Sequence, residues 1–254
     1  MKKNSLLMGL EEKSLVISTI EKSSVKSPEV ELGKRSFGLI MIKPHAYEQV
    51  IDVPVGQLLG FSPEPPSDEM IKLLKLSSDT EKLLFRSGKF KPVAVFARDM
   101  GNNNPNMGGK YEELMGIMYG RDRDRRHYRT ILERYQGKVM FFLVQYEGSQ
   151  SEMEDVLREF KGKETFVGES QGSGIRGRFI LPRKRIDLDK LEGLPEDEYR
   201  KQVPNVVDNA IHITDNPWET ATALKILLSK EDKKAIEERG FPIEEYIKDN
   251  EKEK

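Results

Sequence analysis

The chain has 254 residues, no cysteine, and a formal net charge of −1 at pH 7. With 33% charged and 37% hydrophobic residues it has the composition of a soluble globular protein, and the nearly balanced charge gives no general case for binding nucleic acid or a membrane. The lack of cysteine excludes disulfides, thiolate metal sites and cysteine nucleophiles, and no apolar run approaches the roughly 20 residues of a membrane-spanning helix. A cysteine-free chain fits a reducing compartment, so we expect a cytoplasmic protein of one large or two small domains.

The predicted elements alternate between strands and helices along the chain. Four apolar segments rich in β-branched and aromatic residues are predicted to be buried strands: Ser36–Ile42, Phe90–Met100, Lys138–Tyr146 and Asn209–Thr214. Helical patterns occupy residues 77–90, 110–119, 125–138, 148–163 and 216–229. This β-α-β-(α)-β-α-β order predicts an α+β fold, a ferredoxin-like βαββαβ antiparallel sheet with helices on one side plus extra helices.

Two of the predicted helices have clear start signals. Ser149 and Glu152 form a Ser-x-x-Glu capping pattern, and apolar residues then follow at helical spacing. That apolar stripe consists of Met153, Val156, Leu157 and Phe160. The last core helix opens with Asn216 and Pro217, a favourable pair for helix entry.

Several segments fall outside the core pattern. Residues 1–34 are predicted to form an N-terminal extension, residues 49–77 an insertion with a proline-rich loop, and residues 180–208 a highly charged insertion. The tail, residues 229–254, alternates acidic and basic side chains and is predicted to be a charged, solvated helix pair. One domain, interrupted by the two insertions, is therefore expected over residues 35–228.

His212, one of only three histidines, lies in the middle of the last predicted strand. A core histidine with satisfied hydrogen bonds is the commoner explanation for such a position. Three features favour an anion site instead. Asn209 is close in sequence, Thr214 shares a side of the strand with His212, and a helix start follows, whose backbone N–H groups favour an anion.

Three other segments contain side chains suited to phosphate or nucleic acid. Lys43 ends the first strand before a proline, where it is either a surface residue or a fixed charge that points at a phosphate. The glycine-rich segment 166–179, with Arg176, is either a flexible loop or a phosphate-binding loop. The arginine-rich run Tyr119–Arg129 is either a solvated helix face or a site that stacks on bases.

Together these pieces resemble the nucleoside diphosphate kinase family. The matching motifs are Lys43-Pro44, Gly168-Glu169-Ser170, Ile175-Arg176-Gly177-Arg178-Phe179 and Asn209-Ala210-Ile211-His212-Ile213-Thr214-Asp215. They occur in the family's order, and the resemblance covers roughly Arg35 to Leu228. The family fold is a ferredoxin-like sandwich with extra helices, which agrees with the order of the predicted elements.

The resemblance implies that His212 takes the γ-phosphate of a nucleoside triphosphate as phosphohistidine and passes it to a nucleoside diphosphate. Lys43 and Arg176 would stabilise charge on the moving phosphoryl group. The further nucleotide contacts that it implies are Tyr119 near the histidine, Tyr128 on the base, Leu132 behind the base, Ser170 on a phosphate, and Asn209 at the sugar or β-phosphate. Mg²⁺ would bridge the phosphates, with no metal ligand assigned in the chain, and a homo-oligomer is implied.

Around the histidine the chain departs from the family pattern. The residue after His212 is Ile213 rather than glycine, which we expect to crowd the site. The family's glutamate that orients the histidine falls near Leu224, and Glu219 has the wrong spacing to replace it. An imidazole without its orienting partner is a poorer nucleophile, since that partner fixes its tautomer.

Other departures affect the phosphate-binding side chains. The family's arginine before Gly-Glu-Ser falls on Glu164, with Lys161 and Lys163 as possible substitutes, and its aspartate after Lys-Pro is His45.

An active nucleoside-diphosphate kinase is the first hypothesis. A catalytically weak or inactive nucleotide-binding or scaffold protein on the same fold is the second. A nucleic-acid module built on the arginine-rich run is the third, although nucleic acid is an unexpected partner.

Overall fold

The computed structural model describes residues 35–44, 46, 56, 59–61, 67–101, 109–120, 124–162, 173–179, 188–207 and 210–252. The predicted extension at 1–34 lies outside these residues, as do His45, Ser170 and Asn209. The predicted insertion at 49–77 is described only in part.

A single four-stranded sheet forms the centre of the described structure. Its strands are β1 (Arg35–Ile42), β2 (Phe90–Asp99), β3 (Lys138–Glu147) and β4 (Ile211–Ile213). The strand order is β2-β3-β1-β4, and every neighbouring pair is antiparallel. This is the order of a ferredoxin-like sheet, so the predicted α+β fold class is confirmed.

The last strand is shorter than the sequence pattern predicts. Asn209–Thr214 was the expected span, but β4 starts only at Ile211. The cause is Ala210, whose φ of 58° puts it in the left-handed region and interrupts the extended backbone. At the other end, the Thr214 N–H still donates to the Leu39 carbonyl (3.0 Å) and continues the contact with β1.

Helices fill the connections and follow the last strand. In the order of the chain they are α1 (Asp68–Leu74), α2 (Ser78–Phe85), α3 (Lys110–Met118), α4 (Arg126–Arg134), α5 (Gln150–Lys161), α6 (Gly174–Phe179), α7 (Leu188–Glu192), α8 (Glu196–Gln202), α9 (Pro204–Val207), α10 (Pro217–Leu227), α11 (Lys230–Glu237) and α12 (Ile243–Asn250). Both predicted caps are present: the Ser149 side chain accepts from the Glu152 N–H, and the Asn216 side chain accepts from the Glu219 N–H. None of the helices in these described ranges is long and apolar enough to span a bilayer.

The two faces of the sheet are covered by different helices. On one face, Ile40 and Ile42 of β1 pack with Met153, Leu157 and Phe160 of α5, and α2 packs beside α5. These are the helices that connect β1 to β2 and β3 to β4, which a ferredoxin-like fold places on one side. The additional helices α3, α4 and α7 to α12 supply the apolar cluster on the opposite face, around Phe37, Leu39 and Met41.

The tail contributes to the core rather than extending into solvent. Its helix pair, α11 and α12, is present, but Ile236, Ile243, Tyr246 and Ile247 are buried in the cluster of the additional helices. The Tyr246 ring lies 4.8 Å from the Phe37 ring, edge to face. The expectation of a solvated pair is therefore wrong for this side of the tail, because sparse apolar residues at helical spacing form a narrow buried stripe.

Candidate functional site

His212 is buried at the edge of the sheet. It lies on β4, opposite Met41 of β1, with 6% of its surface exposed. Its ring is 5.0 Å from the ring of Tyr119, which follows α3. Because α3 covers the face that carries Met41, the imidazole points to the side of the additional helices.

The imidazole is held by a carboxylate. Nε2 of His212 lies 2.8 Å from Oε1 of Glu219, a residue that is only 4% exposed. The other oxygen of Glu219 accepts the backbone N–H of Asp215 at 2.7 Å. The expectation that His212 lacks an orienting glutamate is therefore wrong. Glu219 is the third residue of α10, and the first turn of that helix folds back over the end of β4.

This pairing assigns the tautomer of His212. A carboxylate accepts hydrogen bonds, so the proton of the neutral ring belongs on Nε2, and Nδ1 carries the free lone pair. Among the described residues, none makes a hydrogen bond to Nδ1. The nitrogen available for nucleophilic attack is therefore Nδ1.

Burial and nearby charges set the protonation of His212. Burial lowers its pKa below the usual value, the hydrogen bond and charge of Glu219 oppose this, and the charges of Lys43 and Lys161 lower it further. The net effect is a lowered pKa, so the imidazole is neutral at neutral pH. A neutral ring is the form that can act as a nucleophile.

Ile213 does not crowd the imidazole. Side chains alternate along a strand, and Ile213 packs with Ile40 and Ile211 in the apolar cluster on the opposite face of the sheet. The expected crowding is therefore wrong. Thr214 returns to the histidine's side, where its hydroxyl accepts the Leu39 N–H (3.1 Å) and receives a hydrogen bond from Thr220 (2.7 Å).

Lys43 reaches the same place from the end of β1. Its side chain is fully buried, and its backbone N–H donates to the Ala210 carbonyl at 3.0 Å. The Nζ donates to the Tyr135 hydroxyl at 2.6 Å and lies 5.5 Å from the centre of the Tyr119 ring. The structure thus brings together three of the predicted site residues, His212, Lys43 and Tyr119.

Tyr135 is a site residue that the sequence analysis missed. Its hydroxyl accepts from Lys43 and donates to the carbonyl of Val207. The available signal was an aromatic residue at the end of a predicted helix, just before Gly137, and such a residue is usually part of the core.

Arg176 lies beside the histidine strand. It is 2% exposed, and its guanidinium donates to the Ile211 carbonyl from Nη2 (2.9 Å) and Nε (3.3 Å). The contact is therefore with the backbone one residue before His212. This fixes a positive charge against the backbone of β4.

Lys161 is a second cation near the histidine. Its Nζ lies 3.3 Å from Oδ1 of Asp215, and its charge acts on His212. Its expected role as a substitute for the missing arginine stays a prediction. The other candidate substitute, Lys163, and the residues Glu164, Ser170 and Asn209 lie outside the described residues.

Tyr128 and Leu132 lie on α4. Tyr128 is 8% exposed and near Tyr111 of α3, whose hydroxyl donates to the Leu132 carbonyl at 2.7 Å. Both side chains therefore lie on one helix beside α3. Their contact with a nucleobase stays a prediction.

The arginine-rich run is engaged within the chain where it is described. The Arg126 guanidinium stacks on the Tyr199 ring at 3.8 Å, donates to the Leu194 carbonyl at 2.9 Å and pairs with Glu196. Arg125 lies 3.2 Å from Asp189. These contacts are all with the predicted insertion at 180–208, and they do not favour a nucleic-acid site.

No group of three or more His, Asp and Glu side chains in the described part of the chain is arranged to hold a metal ion.

No protein-family model and no curated protein sequence matches the chain. Solved structures similar to it include three nucleoside diphosphate kinases. They come from Aquifex aeolicus (17% identity over 78% of this chain and 98% of that chain, TM-score 0.37), Borrelia burgdorferi (14%, 78% and 89%, TM-score 0.44) and Encephalitozoon cuniculi (13%, 77% and 90%, TM-score 0.42). The Borrelia structure is a transition-state mimic with bound vanadate and ADP. Similarity at this level does not decide activity, which must be argued from the site itself.

Proposed function

We propose that the protein is a phosphotransferase that moves the γ-phosphate of a nucleoside triphosphate to a nucleoside diphosphate through a phosphohistidine on His212. The observation that carries this proposal is the buried His212–Glu219 pair: Glu219 holds the proton on Nε2 and leaves Nδ1 as the nucleophilic nitrogen, while burial keeps the imidazole neutral. A histidine that served only the core would need no cations beside it, whereas Lys43 and Lys161 both act on this one.

The transfer has two balanced halves. In the first, the Nδ1 lone pair attacks the γ-phosphorus, the N–P bond forms, and the bond from phosphorus to the β–γ bridging oxygen breaks, so that the diphosphate leaves with the electron pair. In the second, a terminal oxygen of the acceptor diphosphate attacks the phosphorus, and the N–P electrons return to the imidazole. Glu219 holds the Nε2 proton in both halves and stabilises the positive charge of the phosphorylated ring.

The surrounding cations would stabilise charge on the phosphoryl oxygens. Lys43 lies on the imidazole's side of the sheet, and Arg176 is fixed one residue away along the backbone. Preorganised cations in a site shielded from water interact strongly with developing charge. Ser170 and Asn209 would add phosphate and sugar contacts. Mg²⁺ would be bound through the nucleotide phosphates and would supply charge neutralisation there.

The rest of the nucleotide would contact α3, α4 and their neighbours. Tyr119 lies beside the imidazole, and Tyr128 and Leu132 would contact the base. A homo-oligomer, which the family resemblance implies, belongs to the same proposal, and analytical ultracentrifugation of the full chain would test it.

Phosphoenzyme formation tests the proposal directly. The protein is incubated with Mg²⁺ and γ-labelled ATP, and we expect an acid-labile, base-stable label that leaves as GTP when GDP is added. His212→Asn should remove the label. His127→Asn is the matched control, because His127 is also buried and also pairs with a glutamate, Glu192, at 2.8 Å. Label that survives His212→Asn would contradict the proposal.

One observation favours a second candidate, a nucleotide-binding or scaffold protein without transfer. His212, Lys43 and Arg176 are all buried, so a phosphate must displace existing contacts in order to reach them. Under this alternative, ADP or ATP would bind, as measured by isothermal titration calorimetry, but no label would appear on His212.

A further inference from the structure

We infer that Tyr135 is the positioning residue of Lys43, and that residues 188–207, the described part of the predicted insertion, are a built-in part of the site because the Val207 carbonyl fixes Tyr135. This inference rests on the proposed function for its consequence in catalysis. The contacts themselves do not depend on that function. Neither Tyr135 nor the insertion has a role in the motifs that led to the proposal.

The Tyr135 hydroxyl is a bridge with a fixed direction. An ammonium can only donate and a carbonyl can only accept, so the hydroxyl accepts from Lys43 Nζ at 2.6 Å and gives its own proton to Val207. A hydroxyl that already donates to a carbonyl is a better acceptor, because hydrogen bonds in a chain polarise one another. The bridge therefore suits a buried cation that must stay in one place.

The rings around Lys43 reinforce this position. Its Nζ lies 4.4 Å from the centre of the Tyr135 ring and 5.5 Å from that of Tyr119. The two rings are 5.7 Å apart and meet edge to face. Cation–π attraction is strongest where the cation is desolvated, as this fully buried ammonium is. Tyr119 also touches His212, so the same pair of rings connects the lysine to the imidazole.

The insertion is anchored firmly to the helix that carries Tyr135. Glu192 of α7 accepts the backbone N–H groups of Arg126 (2.8 Å) and His127 (3.0 Å) at the start of α4. Farther along α4, the Thr130 hydroxyl lies 2.9 Å from the Tyr199 hydroxyl of α8. Tyr135 caps the other end of α4, where α9 presents the Val207 carbonyl. The insertion thus runs along the whole helix and ends at the bridge.

Tyr135→Phe tests the role of the hydroxyl, since it keeps the ring and removes only the bridge. Single-turnover phosphorylation of His212 should slow by about tenfold, the effect of a lost hydrogen bond to a charged group. The ATP concentration for half-maximal rate should change much less, because the ring and the other phosphate ligands remain. Tyr246→Phe is the matched control. Tyr246 is also buried but lies on a different helix, α12, and its hydroxyl donates to the Phe37 carbonyl of β1 at 3.4 Å. It should leave the rate unchanged.

A second readout does not need catalysis. Acetylation of the native protein by acetic anhydride, followed by peptide mass spectrometry, reports how well each lysine is held. Lys43 should be acetylated about tenfold faster in Tyr135→Phe than in the wild type, relative to the exposed Lys138, and unchanged in Tyr246→Phe. Circular dichroism confirms that each variant is folded.

The two readouts separate the two proposals. If the wild type forms no phosphohistidine but Lys43 acetylation rises in Tyr135→Phe, the proposed function fails and the positioning of Lys43 stands. If the wild type is phosphorylated and Tyr135→Phe changes neither the rate nor the acetylation of Lys43, this inference is wrong and the proposed function stands.

Discussion

The imidazole of His212 and the ammonium of Lys43 meet in one site but are held by contacts of very different range along the chain. His212 depends on Glu219, seven residues away, and Glu219 in turn is held by Asp215 and Asn216. Lys43 depends on Tyr135, which is 92 residues away, and Tyr135 on Val207, a further 72 residues along. One half of the site is a local turn, and the other half exists only when distant segments assemble.

Because of this difference, the two halves of the site should respond differently to mutation. The histidine half forms whenever β4 and the first turn of α10 are intact, because its closing loop is short and costs little entropy. The lysine half requires α4, the insertion and β1 to be packed together. Damage to the insertion should therefore affect Lys43 first and leave the His212–Glu219 pair in place.

The largest effect is expected from breaking the local half. Glu219→Gln keeps the shape but removes the charge that orients and stabilises the imidazole, so phosphorylation of His212 should slow by roughly a hundredfold. The pKa of His212 should also fall, since Glu219 is the group that raises it. Single-turnover labelling with γ-labelled ATP measures the rate, and histidine NMR titration measures the pKa.

Glu152→Gln is the control for that change. Glu152 occupies the same third position of a capped helix, α5, with its backbone N–H on Ser149. It should leave phosphorylation unaltered. Equal slowing in both variants would mean that Glu219 acts only as a helix cap.

The His212–Glu219 half of the site could have been predicted from the sequence. Asn216 and Pro217 mark the start of α10, so Glu219 must lie at its third position, where a glutamate side chain normally turns back toward the residues before the helix. The comparison with the family motif placed the orienting glutamate near Leu224, which was wrong. The capping pattern at Asn216 instead indicates Glu219. The strands, the helix order and the Met153–Phe160 stripe were likewise predictable because periodicity is a local property.

A substitution in the predicted insertion should have an intermediate effect, and it should act on the Lys43 half of the site. Glu192→Gln weakens the cap on α4 and should lower the free energy of unfolding by about 1 kcal/mol, as for the loss of a helix cap. Phosphorylation should slow several-fold through Lys43, while the His212–Glu219 pair is unaffected. Chemical denaturation and single-turnover labelling measure the two changes.

The Glu192 contribution has a defined pH dependence. Burial raises the pKa of Glu192, but hydrogen bonds from His127 and Arg126 outweigh it and hold the pKa below its usual value. A carboxyl with a lowered folded-state pKa stabilises the protein above its unfolded pKa of about 4.3 and loses that contribution as pH falls through the folded value. The wild type and Glu192→Gln should therefore converge in stability in strong acid. Glu196→Gln, which removes an exposed charge from α8 without touching the cap, should change stability little.

The lysine half could not be read from the sequence in the same way. The sequence pattern predicts Tyr135 to be a core residue, and its side chain is indeed buried. Its second role arises because its hydroxyl lies between two groups from distant segments, and no local periodicity encodes such a meeting. The tail shows the same limit, since its buried stripe becomes visible only once Tyr246 is placed against Phe37.

The smallest effect is expected at Lys161, which acts on His212 through its charge alone. Phosphorylation requires the neutral imidazole, so its rate should fall in acid as pH drops through the lowered pKa of His212, below the usual 6.5. Lys161→Met removes a positive charge that lowers that pKa, so the pKa should rise. The acid limb of the pH–rate profile should therefore move to higher pH, with the plateau rate little altered if Lys161 does not touch the phosphate. Lys91→Met, which breaks an ion pair with Glu147 far from the β4 edge of the sheet, should leave the profile in place. A limb that does not move with Lys161 would show that burial and Glu219 alone set the protonation of His212.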